Sequence, residues 1–112
     1  MRIVNFRSNK IKEVNVGLLN GLTSLQELYL GGNEINMIKE NTFNGLKDLK
    51  MIHFGNNQIK EIDKNAFDGL SSLKTISLVY NPFKEVEQIN LNGLTSLKFV
   101  FIDNDKVIQM NA

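Results

Sequence analysis

Hydrophobic and polar residues recur along this chain with a period of 24 positions. Leucines that each follow a glycine stand one period apart, at Leu22, Leu46, Leu70 and Leu94. Asparagine or aspartate keeps the same spacing, at Asn9, Asn33, Asn57, Asn81 and Asp105. A fixed period of this length predicts stacked units that share one continuous core. We therefore divide a single domain, 1–112, into four units and a remainder: 1–24, 25–48, 49–72, 73–96 and 97–112.

Each unit opens with a short segment in which hydrophobic residues alternate with more polar ones. Leu28 and Leu30 show this alternation in the second unit, and Ile52 and Phe54 show it in the third. A period of two predicts a β-strand with one face against the core. Stacking then pairs these strands in parallel, which predicts an α/β repeat solenoid with a sheet of about five strands.

Later positions of each unit have separate physical roles. The ninth residue is usually asparagine, whose side-chain amide can satisfy backbone groups of its own unit and the adjacent one. Asp105 accepts but cannot donate when ionised, so the last rung of this ladder should be weaker. The nineteenth residue should fill the outer half of each coil, as Leu19, Phe43, Phe67 and Leu91. The glycine two residues later suits a backbone φ above zero.

The consensus LxxLxLxxNxIxxIxxxxFxGLxx resembles the leucine-rich repeat family in its 24-residue typical class, which has a phenylalanine spine. Toll-like receptors, small leucine-rich proteoglycans, Slit-like proteins and insect immune repeat proteins share this class. The resemblance covers essentially the whole chain. It implies a curved, right-handed coil with a concave parallel sheet, a convex side of loops or short helices, and binding through the concave face. It implies no particular ligand.

The ends of the chain depart from the pattern of extracellular family members. The chain has no cysteine and therefore lacks their cysteine-containing caps. Capping repeats with a polar outer face are normally needed for solubility. We expect either a piece of a longer array or ends that meet another copy. The core side chains that we expect to be exposed are Met1, Val4, Phe6, Ile11 and Val14 at one end, and Leu97, Val100, Ile102, Val107 and Met110 at the other.

Strand residues that point away from the core form the candidate binding face. Aromatic and apolar side chains occur there although the core does not use them, and such side chains are favoured as interface anchors. Phe99 and Phe101 have an alternative interpretation, because missing repeats or a second copy could cover the last strand. The predicted partner-binding residues are Tyr29, Met51, His53, Val79, Tyr80, Phe99 and Phe101.

A column of lysines follows the second position of successive units, at Lys50, Lys74 and Lys98. Such a column could contact an acidic partner, a lipid phosphate or a sulfated glycan. The alternative is that these lysines keep the edge of the sheet soluble. The sequence leaves both interpretations open.

Few residues carry catalytic or metal-binding chemistry. The absence of cysteine and the presence of a single histidine exclude thiol chemistry and metal clusters built from these residues. The expected neighbours of His53 on adjacent strands are Tyr29 and Ser77, which do not make a catalytic triad. We therefore expect no enzyme, cofactor or metal, and for His53 a pH-sensitive contact in the binding face is favoured over catalysis. The glycines beside the strands leave shallow spots but match no phosphate-binding loop.

Net charge and hydropathy limit the classes of partner that the sequence favours. The formal net charge is +1, so no overall field favours nucleic acid or an acidic membrane. No apolar run is long enough to insert into a bilayer. Residues 1–12 carry charges where a signal peptide would be apolar, whereas the family leans extracellular, so the compartment stays open.

Three functions fit these features. The leading hypothesis is a non-catalytic module that recognises a protein through the concave strands. One alternative is a structural unit that self-assembles through its uncapped ends. The other is a binder of an anionic lipid or glycan along the lysine column.

Overall fold

A computed structural model of the protein describes residues 2–103 and 107–109. Its main element is a six-stranded sheet in which the first five strands come one from each successive unit and the sixth follows the fifth within residues 97–112. The strands, in their order across the sheet, are β1 (Ile3–Asn5), β2 (Glu27–Tyr29), β4 (Met51–His53), β6 (Thr75–Ser77), β7 (Phe99–Phe101) and β8 (Val107–Gln109).

The first five strands are parallel, and their pairing follows the sequence period. Leu28 lies opposite Val4 on one side and opposite Ile52 on the other. Residues that occupy the same position of each unit therefore form straight rows across the sheet. This arrangement confirms the predicted solenoid with a parallel sheet.

The outer side of the coils contains little regular structure, as the resemblance implied. β3 (Met37–Ile38) and β5 (Glu61–Ile62) pair in parallel as a second, two-stranded sheet. Helical structure among the described residues is limited to α1 (Val16–Leu19) and a 3₁₀ turn (Val86–Gln88). Hydrogen-bonded turns connect these elements, so the outer side is built from loops and short helical fragments.

The core lies between the two sheets and follows the predicted alternation. The inward residues Leu28, Leu30, Ile52 and Phe54 are completely buried, each with an exposed fraction of 0%. The phenylalanine spine is also buried, and the Phe43 and Phe67 rings stack with their centroids 5.7 Å apart. The glycine two residues after the spine residue adopts the expected left-handed conformation at Gly21, Gly45 and Gly69, with φ of +84°, +83° and +83°. The fourth glycine of this row, Gly93, does not have a positive φ, so the expectation is wrong there.

The asparagine ladder holds neighbouring coils together. The Asn57 side chain donates from Nδ2 to the carbonyl of Phe54 in its own coil, at 2.9 Å, and to the carbonyl of Leu30 in the preceding coil, at 3.0 Å. Its Oδ1 accepts from the backbone N–H of Ile35 at 3.1 Å. Asn33 and Asn81 repeat this arrangement one coil earlier and one coil later.

The first rung of the ladder differs because the Asn9 side chain bonds only within its own coil in the described part of the chain. Asn9 is exposed, and its Nδ2 donates to the Arg7 carbonyl at 3.0 Å. Asp105 lies outside the described residues, so the weakness of the last rung stays a prediction. The central rungs, which bridge two coils each, therefore carry the stabilising role.

The ends of the solenoid correct one expectation from the sequence. Leu97, Val100 and Ile102 are buried, with exposed fractions of 6%, 1% and 0%. The reason is that β8 folds back antiparallel along β7, with Phe101 opposite Val107, and covers the last coil. This sixth strand was not predicted. Val107 itself is 47% exposed, as expected.

The first coil is also better covered than the sequence suggested. Val4 and Val14 are buried at 5% and 7%, and Phe6 and Ile11 pack against the core while remaining half-buried. Ile3 instead points outward and is 54% exposed. Met1 and Met110, which we also expected to be exposed, lie outside the described residues.

We predict that Asn57→Ala lowers the free energy of unfolding by about 2–3 kcal/mol, because it leaves the buried Ile35 N–H without its acceptor. Asn9→Ala is the matched control: it removes the same amide from the exposed first rung and should cost less than about 1 kcal/mol. Urea unfolding followed by circular dichroism measures both. Equal losses for the two variants would contradict the role of the buried ladder.

Candidate functional site

The predicted binding residues lie on the outward face of the six-stranded sheet, which we call the sheet face. None of them belongs to the hydrophobic core. Tyr80 is 62% exposed, and the other six are half-buried: Tyr29, Met51, His53, Val79, Phe99 and Phe101. The sheet face therefore presents aromatic and apolar surface to solvent, at positions where the period of two leaves side chains outside the core.

The aromatic side chains form two groups. Tyr29 and His53 lie side by side on β2 and β4, with ring centroids 6.3 Å apart. Phe99 and Phe101 stack on β7 at 5.9 Å. Ser77, on the intervening strand β6, is small and buried, so it leaves a low point between the two groups.

Contacts on both sides fix the Tyr29 ring. Its hydroxyl donates to Oε1 of Glu27 at 2.6 Å, and the Arg7 guanidinium carbon lies 4.3 Å from the ring centroid. The hydrogen bond to Glu27 raises the pKa of Tyr29, with smaller contributions from burial and the Glu27 charge, while the Arg7 charge opposes the shift. Tyr29 is therefore a neutral, oriented aromatic group at physiological pH.

The His53 ring lies across two glycines of neighbouring coils. A Cβ at Gly31 would come within 3.1 Å of its Nδ1, and a Cβ at Gly55 would come within 2.9 Å of its Cε1. Burial lowers the pKa of His53, the Arg7 charge lowers it further, and a backbone hydrogen bond partly opposes both. The imidazole is consequently neutral at pH 7. Its buried Nδ1 has no hydrogen-bond partner among the described residues.

A groove of about 280 Å³ opens on the sheet face where the strands end. Its lining comes from four successive coils. The second coil contributes two glycines and the third contributes one glycine beside His53 and Asn56, whereas the first and fourth coils contribute no glycine, so a depression forms between them. The lining residues are Arg7 and Ser8; Gly31 and Gly32; His53, Gly55 and Asn56; and Val79 and Tyr80.

The backbone turns sharply at the groove. The eighth residue of each of these four coils has a left-handed conformation, with φ between 57° and 70°: Ser8, Gly32, Asn56 and Tyr80. Asparagine and glycine tolerate this conformation, but it is costly for a bulky residue such as tyrosine. The fold thus holds the Tyr80 ring at the rim of the groove at some cost in strain.

The sequence prediction included His53, Val79 and Tyr80 but missed Arg7, Ser8 and Asn56 as parts of one groove. The available signal was the pair of rows formed by the seventh and eighth residues of each unit. These rows contain adjacent glycines in two neighbouring units, flanked by side-chain-bearing units on both sides. Such a run of missing side chains predicts a depression once the solenoid is assumed.

The lysine column lies elsewhere on the sheet. Lys50, Lys74 and Lys98 are exposed and stand one coil apart, with each backbone N–H bonded to the carbonyl of the preceding coil. They precede the strands, whereas the groove follows them. The structure therefore does not bring the lysines to the groove.

Other kinds of site have no support in the part of the chain that the structure describes. No group of three or more histidine, cysteine, aspartate or glutamate side chains there could hold a metal ion. No helix among residues 2–103 and 107–109 is long and apolar enough to cross a membrane. His53 has no carboxylate partner that would orient it for catalysis.

Among solved structures, the chain resembles the protein in the crystal structure of the TLR13–ssRNA13 complex. The TM-score is 0.65 at 24% sequence identity, over 88% of this chain and 17% of that chain. The likeness shows the fold, and this chain spans about a sixth of that protein's length. Because that protein is bound to ssRNA13, the comparison does not support excluding nucleic acid as a partner. A search of curated proteins finds no match.

The family comparison agrees with the fold. A family model described as leucine rich repeat matches residues 1–59, 26–83 and 49–107, which together cover nearly the whole chain. Repeats of this kind are generally non-catalytic scaffolds whose extended concave surfaces bind partners. The chain therefore belongs to the leucine-rich repeat family.

Proposed function

We propose that this chain is a recognition module that binds a partner protein through its sheet face. The observation that carries the proposal is the aromatic and apolar surface outside the core, with Tyr80 at 62% exposure. Large, rigid aromatic side chains are enriched at the energetic centres of protein interfaces, where they bury much area at little entropic cost. The same side chains contribute little to this fold, because the buried alternation already fills the core.

The spacing of the two aromatic groups suits a partner surface from which a side chain projects. His53 and Phe101 lie on β4 and β7, two strand spacings apart, which is roughly 10 Å. Ser77 lies between them, and its short, buried side chain projects little from the sheet. A projecting side chain of the partner fits this low point, while the flanking rings pack against its sides.

The alternatives have weaker support. Self-assembly through open ends relied on exposed core residues, and Leu97, Val100 and Ile102 are covered. An anionic lipid or glycan would use the exposed lysine column, which lacks the aromatic surface of the sheet face. Nucleic-acid bases could stack on the same rings, but a nucleic acid also needs a track of cations for its phosphates. Arg7 is the one cation that lines the groove.

We predict that replacing the four most prominent rings abolishes capture of the partner while the chain still folds. The variant is Tyr29→Ser, Tyr80→Asn, Phe99→Ser and Phe101→Ser, in which asparagine suits the left-handed backbone at position 80. The immobilised chain is used to isolate binding proteins, and each candidate is then purified and titrated against wild type and variant.

The matched control replaces Lys50, Lys74 and Lys98 with serine, which removes the lysine column and leaves the rings in place. This control should retain the partner. Capture that survives in the four-ring variant but disappears in the lysine variant, or that falls steeply with salt, would contradict the proposal and favour an anionic ligand. Labelled single-stranded RNA, titrated against wild type in parallel, tests whether the partner is a nucleic acid.

The protonation of His53 gives the sheet face a pH dependence. Its folded pKa is below the usual value of about 6.5, so the unfolded chain binds more protons as the pH falls through this region. Stability contributed by the neutral imidazole is present above pH 6.5 and is lost progressively as the pH falls toward the folded pKa.

We predict that wild type loses stability between pH 7.5 and about 5.5, and that His53→Gln loses less over the same range. His53 is the only histidine of the chain, so no other imidazole contributes. Urea unfolding at several pH values measures the effect. Identical pH profiles for the two proteins would show that His53 is not the titrating group.

A further inference from the structure

The backbone carbonyls at the floor of the groove offer a partner little hydrogen-bonding capacity, and the His53 ring lies over the two glycines that carry them. The Gly31 carbonyl already accepts from the Ser8 N–H at 3.1 Å, and the Gly55 carbonyl accepts from the Gly32 N–H at 3.0 Å. The flank on the fourth coil is formed by Val79 and the Tyr80 ring. An apolar or aromatic body fits this surface better than a strongly hydrated group.

The opposite flank of the groove is positively charged. The Arg7 guanidinium carbon lies 4.3 Å from the centroid of the Tyr29 ring, and among the described residues no side-chain hydrogen bond uses the guanidinium N–H groups. Arg7 forms no ion pair with any residue in 2–103 or 107–109, and no acidic side chain lines the groove. The nearest carboxylate along β2, Glu27, already accepts from the Tyr29 hydroxyl. A guanidinium with free edges is suited to bidentate recognition of a carboxylate.

Size and charge together narrow the class of ligand. At about 280 Å³ the groove lies at the small end of ligand pockets, which suits a single side chain rather than a helix. A phosphate chain would need several cations in a row, whereas the lysine column starts five residues earlier along the strands, roughly 16 Å away. One cation beside an apolar depression matches a carboxylate attached to an apolar side chain.

We infer that the groove binds a peptide segment in which a large aromatic or aliphatic side chain lies beside a carboxylate. The side chain occupies the depression between Arg7 and Tyr80, and the carboxylate pairs with the Arg7 guanidinium. The carboxylate is either a free C-terminus or an adjacent aspartate or glutamate side chain of the partner. This inference rests on the proposed function, since the groove is part of the sheet face, and it adds the chemistry that the partner must present.

Three short probes test the inference by NMR titration of the ¹⁵N-labelled chain. The first is acetyl-Gly-Gly-Phe with a free C-terminus, the second is its C-terminal amide, and the third is acetyl-Gly-Asp-Phe amide, with a side-chain carboxylate. We expect the backbone signals of Gly31, Gly32 and Gly55 to shift with at least one carboxylate probe. The neutral amide should bind about tenfold or more weakly. Whichever carboxylate probe binds identifies the source of the charge.

Two variants assign the contacts. Arg7→Met should weaken the better carboxylate probe about tenfold to a hundredfold and leave the neutral amide unchanged. Tyr80→Asn should weaken all binding probes, because it removes the aromatic flank while it suits the backbone. Arg2→Met is the matched control. It removes a charge of the same kind at the opposite end of β1, away from the groove, and should have no effect on any probe. Unchanged signals outside the groove verify that each variant folds.

Equal binding of the amide and the acids, or equal effects of Arg7→Met and Arg2→Met, would overturn the inference. Stronger shifts with uridine monophosphate than with any peptide would also overturn it, in favour of a nucleotide. These outcomes are separable from failure of the proposed function. A four-ring variant that loses a purified partner, together with probes that show no carboxylate preference, rejects only the groove chemistry. If the four-ring variant still binds the purified partner as wild type does, the proposed role of the sheet face is rejected as well.

Discussion

The fold depends on the satisfaction of backbone groups where each coil leaves the sheet. At these bends the chain is too tightly turned to pair with itself, yet it is buried by the next coil. Asn57 and its counterparts resolve this conflict by bonding two coils at once. Only a side-chain amide, with a donor and an acceptor on one planar group, serves both coils in this way. This bond adds side-chain links between coils to the backbone pairing that aligns the rows across the sheet.

The periodic part of the fold was predictable because each position repeats its role. The buried strands, the phenylalanine spine, the ladder and most of the glycine turns all follow from residue type at a fixed spacing. The ends were not predictable in the same way. β8 continues the repeat in sequence but runs antiparallel to β7, and the short period provides no signal for a reversal of direction. A periodic pattern predicts what neighbouring coils share, and the antiparallel pairing of β8 with β7 is not shared with any other coil.

The candidate site was only partly predictable for a related reason. Tyr29, Phe99 and Phe101 were identifiable as residues with no place in the core, which is a one-dimensional property. The groove instead depends on three glycines in two adjacent coils, Gly31, Gly32 and Gly55, which lie between the larger side chains of Arg7 and Tyr80. The orientation of Arg7 also depends on a contact with Tyr29 in the next coil. Relations between coils of this kind become visible only when the rows are placed side by side.

The packing of His53 on Gly31 and Gly55 has a consequence for substitutions at these positions. The imidazole occupies the space that side chains at both glycines would need, with approaches of 3.1 Å and 2.9 Å to their would-be Cβ atoms. Substitution at either glycine is therefore coupled to the conformation of His53. An alanine at Gly55 requires the imidazole to shift away, and its Cβ also approaches Cγ2 of Val79 at 3.1 Å. Mutations at Gly31, His53 and Gly55 are thus expected to have non-additive effects on stability.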